Sequence, residues 1–545
     1  MEYTFLGKKI SGRFTIPSGI VTTNPKILLK IAKEIPQIGV LTTKSIGPEE
    51  KKGNREPIIH KYAPGCFVNA VGLTNPGAKE FAKQLSEIKS SIPKDRFLLI
   101  SIFGSNAEEF VSVAKTLEEY ADGFELNLSC PHAKGYGMSI GQDPKMVKEI
   151  VQAVKQAVKV PVIPKLTPNT NNIGEIAKSA EEGGADAICA INTVGPGYFT
   201  FDGIPVLTNK KGGMSGKGVL PIGLKCVKEI SESVSVPIIG CGGISTAQDI
   251  IEYTNAGATI IGVGSTLAGM NSVEMKNYFY ELENDIQNKT NNANKLLKEV
   301  NMQFEKYIVQ KVEPLSEDLA VISFDKGITI GAGQFVFAWI FEFGEKPFSA
   351  LDNNPLKLLI QKKGCLTEKL LQSKIGDTVY FRGPYGKEIV EGKEKKVIIV
   401  GGGCGIAALY QLAKEINSKT TEVFFGARDE KHLFYIEELK KCSTVWITTN
   451  DGSMGKKGFV TDALKERLEA LSEEEKKNIV FYNCGPEVMI NAILPIEEKY
   501  ANKENIFCAI DYVTKCGIGI CGACASKSGK RICVDGPFLN RTEVE

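Results

Sequence analysis

The chain lacks an excess of charge of either sign: 66 Lys+Arg stand against 64 Asp+Glu over 545 residues, a formal charge of +2. That balance removes the electrostatic argument for a nucleic-acid or anionic-membrane partner. Also missing is any apolar run near the roughly 18 to 20 residues that a membrane-spanning helix needs. The first residues, MEYTFLGKKISGRF, hold no apolar signal core, so the cytoplasm is the expected location. No internal repeat or low-complexity tract is present. Histidine is scarce, and two of the three, His60 and His432, have no partners in sequence and are assigned no role. Cysteine, by contrast, is plentiful at fourteen residues. Without a secretory signal, such cysteines point to metal or redox chemistry in a reducing compartment rather than to disulfides. With 43% hydrophobic and 24% charged residues the chain is of ordinary globular composition, long enough for about three or four domains.

Residues 1–275 alternate short apolar runs with amphipathic stretches. FLLISIF (97–103), GFELNL (123–128), VPVIPKL (160–166), AICAINT (187–193), VPIIGCGG (236–243) and TIIGVG (259–264) read as buried parallel strands. Patterns such as DPKMVKEIVQAVKQAV (143–158) carry helical spacing between them. Repetition over this length predicts a (β/α)8 barrel, with a doubly wound open sheet as the alternative. A barrel would place its chemistry at the carboxyl ends of the strands, where this sequence puts its Asn, Lys, Cys and Gly residues. Residues 276–303 are expected to form a terminal helix and linker. From 304 to 392 the alternation in EKYIVQKVEPL, LAVISF and QFVFAWIFEF predicts a small antiparallel barrel. Strand–helix alternation returns over 393–505, as in a nucleotide-binding α/β domain. The tail, 506–545, has too few apolar residues for a core of its own.

That tail carries the strongest signal. CGIGICGACASKSGKRIC sets Cys516, Cys521, Cys524 and Cys533 at C-x4-C-x2-C-x8-C, the plant-type ligand spacing for a [2Fe–2S] cluster. Gly517, Gly519 and Gly522 suit a loop that must turn at positive φ and aim backbone N–H groups at sulfur. A structural zinc site prefers paired C-x2-C knuckles, of which there is one here. Cys508 is out of register and is read as packing.

In VIIVGGGCGIAAL (397–409) a strand runs into a Gly-rich turn and a helix, so that Gly401, Gly402, Gly403 and Gly405 would let the backbone approach a dinucleotide pyrophosphate. GAR (426–428), TNDGSMGKKGFV (449–460) and YNCGPEVM (482–489), with Cys484, Gly485 and Pro486, follow later strands where a nicotinamide dinucleotide would lie. KPFS (346–349) and KKGCLTEKL (362–370) precede them. Over about 304–545 these motifs resemble the flavin reductases related to ferredoxin–NADP reductase. With the cysteine tail, they resemble the electron-transfer subunit of NAD-linked dihydroorotate dehydrogenases. The resemblance implies FAD held by Lys346, Pro347, Phe348 and Ser349, the family's Arg-Pro-x-Ser motif with Lys in place of Arg. It implies a second FAD element at Gly364 and Thr367. A Lys keeps the charge but loses the planar fork.

ELNLSCPH (125–132) resembles the Asn-x-Ser-Cys-Pro-Asn loop of class 1 dihydroorotate dehydrogenases, which implies that Cys130 is the catalytic base. A thiolate at a barrel mouth can serve if its pKa is lowered locally. The same resemblance implies Lys44 beside flavin and substrate, and Asn69, Val71, Gly72 and Leu73 facing the substrate carboxylate. Asn127, His132, Asn192 and Thr193 complete the implied substrate set. FMN is implied at Ser18, Gly19, Lys44, Asn127, Lys165, Gly216, Gly242, Gly243, Gly264 and Ser265. His132 stands where better-known members have Asn, and Thr193 replaces a common Ser. NLSCPH, GQDP, KLTPN and NTV also resemble the pyrimidine-reducing domain of dihydropyrimidine dehydrogenase, which lacks the NAVGLTNPG loop.

The resemblance thus implies oxidation of dihydroorotate to orotate, with electrons passing from FMN through [2Fe–2S] and FAD to NAD, in a homodimer formed through the barrels. NAD(P)H-dependent reduction of uracil or thymine is the alternative enzyme. A general electron-transfer protein is the alternative of another class, one that would need neither the Cys130 base nor Lys44 and Lys165.

Overall fold

The structure, a computed structural model, describes residues 3–128, 138–389, 395–418, 420–510 and 513–544. Two compact units account for the chain: Met1–Val300 with Ile518–Ala525, and Asn301–Gly517 with Ser526–Glu545.

The first unit is a closed barrel of eight parallel strands. The six apolar runs singled out in the sequence form β3 (Phe97–Ile102), β4 (Gly123–Asn127), β5 (Val162–Leu166), β6 (Ile188–Ala190), β7 (Ile238–Cys241) and β8 (Ile260–Gly262). Two strands not singled out in the sequence, β1 (Phe14–Thr15) and β2 (Ile38–Thr42), complete it, and β8 pairs with β1 to close the ring. These strands are largely apolar because a parallel barrel is covered on both faces, and Ser101, Glu125, Asn127 and Lys165 are polar exceptions. The principal helices are α1 (Pro25–Glu34), α2 (Ala78–Ser86), α3 (Ala107–Leu117), α4 (Pro144–Ala157), α5 (Ile173–Glu182), α6 (Leu220–Ser231), α7 (Ala247–Asn255) and α8 (Ser272–Asn288). In α4 the buried residues are Val147, Ile150, Val151 and Val154, the i, i+3, i+4, i+7 stripe of a helix lying on a core.

The terminal helix starts earlier than the sequence reading placed it. The Asn271 side chain accepts from the N–H of Val273 and of Glu274, and the Glu274 carboxylate returns to the Asn271 N–H at 3.0 Å. This capping box starts α8 at Ser272. Its Met275, Tyr278, Phe279 and Leu282 are buried in the barrel core, so the helical part of the expected helix and linker is the barrel's last helix and ends at Asn288. Insertions after β2 and β6 form a four-stranded antiparallel sheet of Ile59–Ala63, Cys66–Asn69, Lys211–Gly216 and Val194–Tyr198.

The second unit opens with a closed antiparallel barrel of six strands: β9 (Glu305–Ser316), β10 (Leu319–Phe324), β11 (Phe335–Ile340), β12 (Gly344–Asn353), β13 (Leu356–Gln361) and β14 (Thr378–Tyr385). Helix α9 (Cys365–Leu371) follows β13. A parallel sheet of β15 (Lys396–Gly402), β16 (Glu422–Ala427), β17 (Thr444–Thr449), β18 (Ile479–Cys484) and β19 (Ile506–Ala509) comes next. Here β19 pairs with β18 and also with Leu539–Asn540, so part of the segment read from sequence as the cluster region belongs to this sheet.

At the end of the antiparallel barrel lies a fully buried ion pair. Arg382 Nε and Nη2 donate to the two oxygens of Glu345 at 2.9 and 2.6 Å. Nη1 donates to the Tyr385 hydroxyl at 2.8 Å and to the Cys516 carbonyl at 3.0 Å. Burial alone would pull the guanidinium pKa down, but Glu345 reverses the sign and the group stays charged. Arg382→Ala should strand a buried carboxylate and destabilise this unit by about 3 to 5 kcal/mol. Both tryptophans, Trp339 and Trp446, lie in this unit, so denaturant unfolding followed by tryptophan emission reads the loss selectively.

Candidate active site

A cavity opens at the carboxyl ends of the parallel strands, where such barrels gather functional groups from separate parts of the chain. Asn127 ends β4, Lys165 lies near the end of β5, and Asn192 and Thr193 follow β6. Gly242 and Gly243 follow β7, while Gly264 and Ser265 follow β8. Ser18 and Gly19 come from the segment after β1, and Lys44 from the one after β2. Asn69, Val71, Gly72 and Leu73 reach the cavity from the end of the Cys66–Asn69 strand, and Gly216 from its neighbour in the inserted sheet. All barrel residues singled out in the sequence therefore line one cavity, except Cys130 and His132, which lie outside the described residues.

The cavity floor is charged. Lys165 is almost completely buried, with Nζ 3.8 Å from Glu125 Oε1, itself buried on β4. Burial drives a lysine toward neutrality, yet the Glu125 charge and the nearby Cys189 and Cys241 thiols outweigh it and raise the pKa. The cavity wall thus holds a cation at neutral pH. Ser101 donates to Glu125 Oε1 at 2.8 Å and so shares the carboxylate with Lys165. Glu125, Ser45 and Ser101 were not singled out in the sequence. The signal available was a glutamate inside the otherwise apolar run GFELNL, two residues before Asn127 and hence on the same face of the strand.

Backbone geometry shapes the rest. Gly243 has φ +78°, and a Cβ there would stand 2.8 Å from the Leu220 nitrogen and 2.9 Å from the Gly216 carbonyl. Only glycine fits this turn, which brings main chain against the cavity. In the Asn69 loop, the Val71 carbonyl accepts from Asn54 N–H at 3.0 Å and the Leu73 carbonyl from Asn75 Nδ2 at 2.9 Å. These bonds hold the loop whose residues face the cavity. Within the same compact unit, Val21 N–H donates to the Ile520 carbonyl at 2.7 Å and Thr23 Oγ1 to the Cys521 carbonyl at 3.0 Å. Ile520 and Cys521 line the cavity beside Ser18–Ile20 and Gly264–Thr266, a placement the cysteine spacing did not reveal. Gly517, Gly519 and Gly522 have φ of +81°, +76° and +64°, the turns expected of a loop folded around sulfur. Cys516, Cys524 and Cys533 are buried and Cys521 half-buried.

In the second unit, Lys346, Pro347, Phe348 and Ser349 lie on β12, paired with β11. Gly364 and Thr367 meet at the start of α9, where Thr367 Oγ1 accepts from Gly364 N–H at 3.0 Å. At the end of the parallel sheet Gly401 pairs with Cys484, and Gly485 and Pro486 follow. Most glycines of this turn have a reason other than ligand approach. Cβ atoms on Gly401 and Gly402 would press on Ile406 and Met489, and one on Gly405 would collide with the Cys484 carbonyl. Gly403, with φ +51° and open space around it, is the one that leaves room for a ligand.

A family profile described as dihydroorotate dehydrogenase matches residues 1–286. Profiles described as oxidoreductase NAD-binding domain and as iron–sulfur cluster binding domain of dihydroorotate dehydrogenase B match residues 399–494 and 513–545. The Pyrococcus abyssi protein named dihydroorotate dehydrogenase B (NAD(+)), catalytic subunit, is 44% identical over 268 residues, 49% of this chain and 87% of that protein. The Methanocaldococcus jannaschii protein of the same name is 45% identical over 253 residues, 46% of this chain and 81% of its own length. A chain from a solved structure of an NADH-dependent reduced ferredoxin-NADP oxidoreductase is 27% identical at a TM-score of 0.40, covering 44% of this chain and 89% of that one.

Because Gly243 admits no side chain, Gly243→Ala should distort the cavity wall. Retention of a phosphate-bearing flavin through desalting, read by its visible absorbance, is expected to fall about tenfold or more, since the strained turn and displaced backbone cost at least about 1.4 kcal/mol.

Proposed function

The chain belongs to the dihydroorotate dehydrogenase family, and from that premise we infer its reaction and the residues that carry it. The enzyme oxidises dihydroorotate to orotate, with NAD+ as final acceptor. The observation that carries the assignment is a single cavity walled by the Asn69–Leu73 loop, by Lys44 and by the buried cation Lys165. A carboxylate-bearing ring fits such a wall, and an electron-transfer scaffold would have no use for it.

The groups the family requires fit the residues present. FMN would be held by Ser18, Gly19, Lys44, Asn127, Lys165, Gly216, Gly242, Gly243, Gly264 and Ser265, a cationic cavity with a glycine-turned wall. FAD would be held by Lys346, Pro347, Phe348, Ser349, Gly364 and Thr367, and NAD by Gly401, Gly402, Gly403, Gly405, Cys484, Gly485 and Pro486. The thiolates of Cys516, Cys521, Cys524 and Cys533 suit [2Fe–2S] in number, spacing and loop turns. The chemistry supplied when these groups are bound is hydride acceptance at FMN, single-electron relay at the cluster and hydride delivery to NAD+ at FAD.

The protein's own part is binding and proton handling. In our reading Cys130 takes the C5 proton of dihydroorotate as hydride leaves C6. Asn69, Asn127, Asn192, Thr193 and His132 hold the pyrimidine ring, and the backbone of Val71, Gly72 and Leu73 faces its carboxylate. Lys165, kept charged by Glu125, offsets the negative charge that hydride transfer brings into the cavity. Two chains pair through their barrels in this reading. The location is the cytoplasm, which suits thiolates that must stay reduced.

Steady-state turnover of dihydroorotate against dihydrouracil, each with NAD+, tests the substrate. Preference for dihydrouracil would move the enzyme to the pyrimidine-reducing class that His132 brings to mind. Cys130→Ala is expected to lower dihydroorotate oxidation by about 10² to 10⁴-fold with flavin content retained, the usual worth of a positioned base. Unchanged turnover would remove Cys130 from the mechanism. Cys521→Ser should lower iron content and nearly abolish NAD+ reduction, while a small acceptor that draws electrons from the barrel flavin is still reduced.

A further inference from the structure

A run of hydrogen bonds crosses the barrel floor between an obligate acceptor and an obligate donor. At one end the buried Glu125 carboxylate accepts from Ser101 Oγ at 2.8 Å. Ser101 Oγ lies 2.9 Å from Ser45 Oγ, which is 2.9 Å from Asn127 Nδ2. Asn127 Oδ1 is 3.2 Å from Asn192 Nδ2, and Asn192 Oδ1 accepts from the Thr193 backbone N–H at 2.8 Å.

Each hydroxyl owns one proton, so the ends dictate every direction between them. Ser101 spends its proton on Glu125 and can only accept from Ser45. Ser45 thereby spends its own and can only accept from Asn127 and from Ser18, 3.0 Å away. The Asn127 atom facing Ser45 must then be the amide nitrogen, and its oxygen must face Asn192. The Asn192 nitrogen meets that oxygen, leaving its oxygen for the Thr193 N–H. Both ends independently demand the same polarity.

We propose that Glu125 is a positioning residue that, through Ser101 and Ser45, fixes which edge of the Asn127 and Asn192 amides faces the substrate and so sets the donor and acceptor pattern read on the pyrimidine. The proposal rests on the reading that these two asparagines hold the ring. Lys165 Nζ, 3.8 Å from Glu125 Oε1, lies against the same carboxylate oxygen that Ser101 donates to. An apolar residue at Ser101 would leave the two amides held from the Thr193 end alone, weakest at Asn127, and a ring with fixed N–H and C=O groups would bind only to the fraction that keeps the matching orientation.

The test compares Ser101→Ala with wild-type holoenzyme in titrations with orotate, read by the flavin absorbance change. Benzoate, an aromatic carboxylate without ring N–H or C=O groups, serves as control through competition against dihydroorotate. Orotate should bind about tenfold more weakly, the scale of one lost oriented hydrogen bond, with benzoate inhibition and FMN content unchanged. Glu125→Gln, whose amide no longer enforces one direction, should show the same selective loss and in addition release FMN more readily, because Lys165 loses its counter-ion. Orotate affinity within about twofold of wild type in both variants, or equal losses for orotate and benzoate, would overturn the proposal. Should the wild type bind uracil and not orotate, the substrate reading falls, and the same ratio is read with uracil in place of orotate.

Discussion

A charged group can be kept in a barrel core only if something there keeps it charged, and the site depends on that condition being met at Lys165. An isolated ammonium in this position would lose its proton, and the cavity would lose its cation. Glu125 prevents this, at the cost of a second buried charge that must itself be satisfied. Ser101 meets that need, and its hydroxyl is in turn tied to Ser45. The cation, the hydroxyls and the two asparagines of the wall thus form one electrostatic arrangement. They stand on successive parallel strands or just after them, which is why a barrel can hold them in register while the loops around them vary.

The second unit uses the same device for another end. Arg382 and Glu345 are both buried, and the guanidinium fork is filled by the carboxylate, the Tyr385 hydroxyl and the Cys516 carbonyl. A bidentate Arg–carboxylate pair fixes direction as well as charge, so it suits a place where backbone must be held at one angle. Here that backbone belongs to the first residue of the cysteine motif. The glycine-rich turn after β15 shows the opposite economy. At Gly401, Gly402 and Gly405 the missing side chains make room for Ile406, Met489 and the Cys484 carbonyl, so the turn is shaped mainly from within.

Much of this could be read from the sequence, for physical reasons. Strands β3 to β8 carry long enough apolar runs to be seen, whereas Phe14–Thr15 spans two residues and gives no periodic signal. The start of α8 was misplaced because the Asn271 and Glu274 cap precedes the polar stretch that drew attention to 276. Resemblance brought together the cavity residues from Ser18 to Ser265, since their motifs lie at strand ends where spacing in the chain is preserved. Glu125, Ser45 and Ser101 escaped because each is unremarkable in its own segment and acquires meaning only across strands. The placement of Ile520 and Cys521 beside the cavity was likewise invisible, since ligand spacing says what four thiols hold and not which wall their loop borders.

One polypeptide carries the FMN barrel, the flavin-reductase barrel, the nucleotide sheet and the cysteine tail. Separate subunits would have to find each other for every assembly, with an affinity set by their interface and by dilution. Covalent linkage replaces that affinity with an effective concentration that does not fall as the protein is diluted, and it fixes the ratio of the two halves at one to one. The demand on the chain then shifts from association to placement. Hydrogen bonds from Val21, Thr23 and Gly269 to the carbonyls of Ile520, Cys521 and Ile518 tie the Ile518–Ala525 part of the cysteine loop to the barrel through backbone carbonyl oxygens. Bonds of that kind leave the thiolates to their own ligand chemistry while holding the main chain that bears them. They constrain both sides: the Thr23 hydroxyl is required at the barrel, and a Cβ on Gly522 of the loop would collide with that hydroxyl and lie 3.0 Å from the Val21 carbonyl.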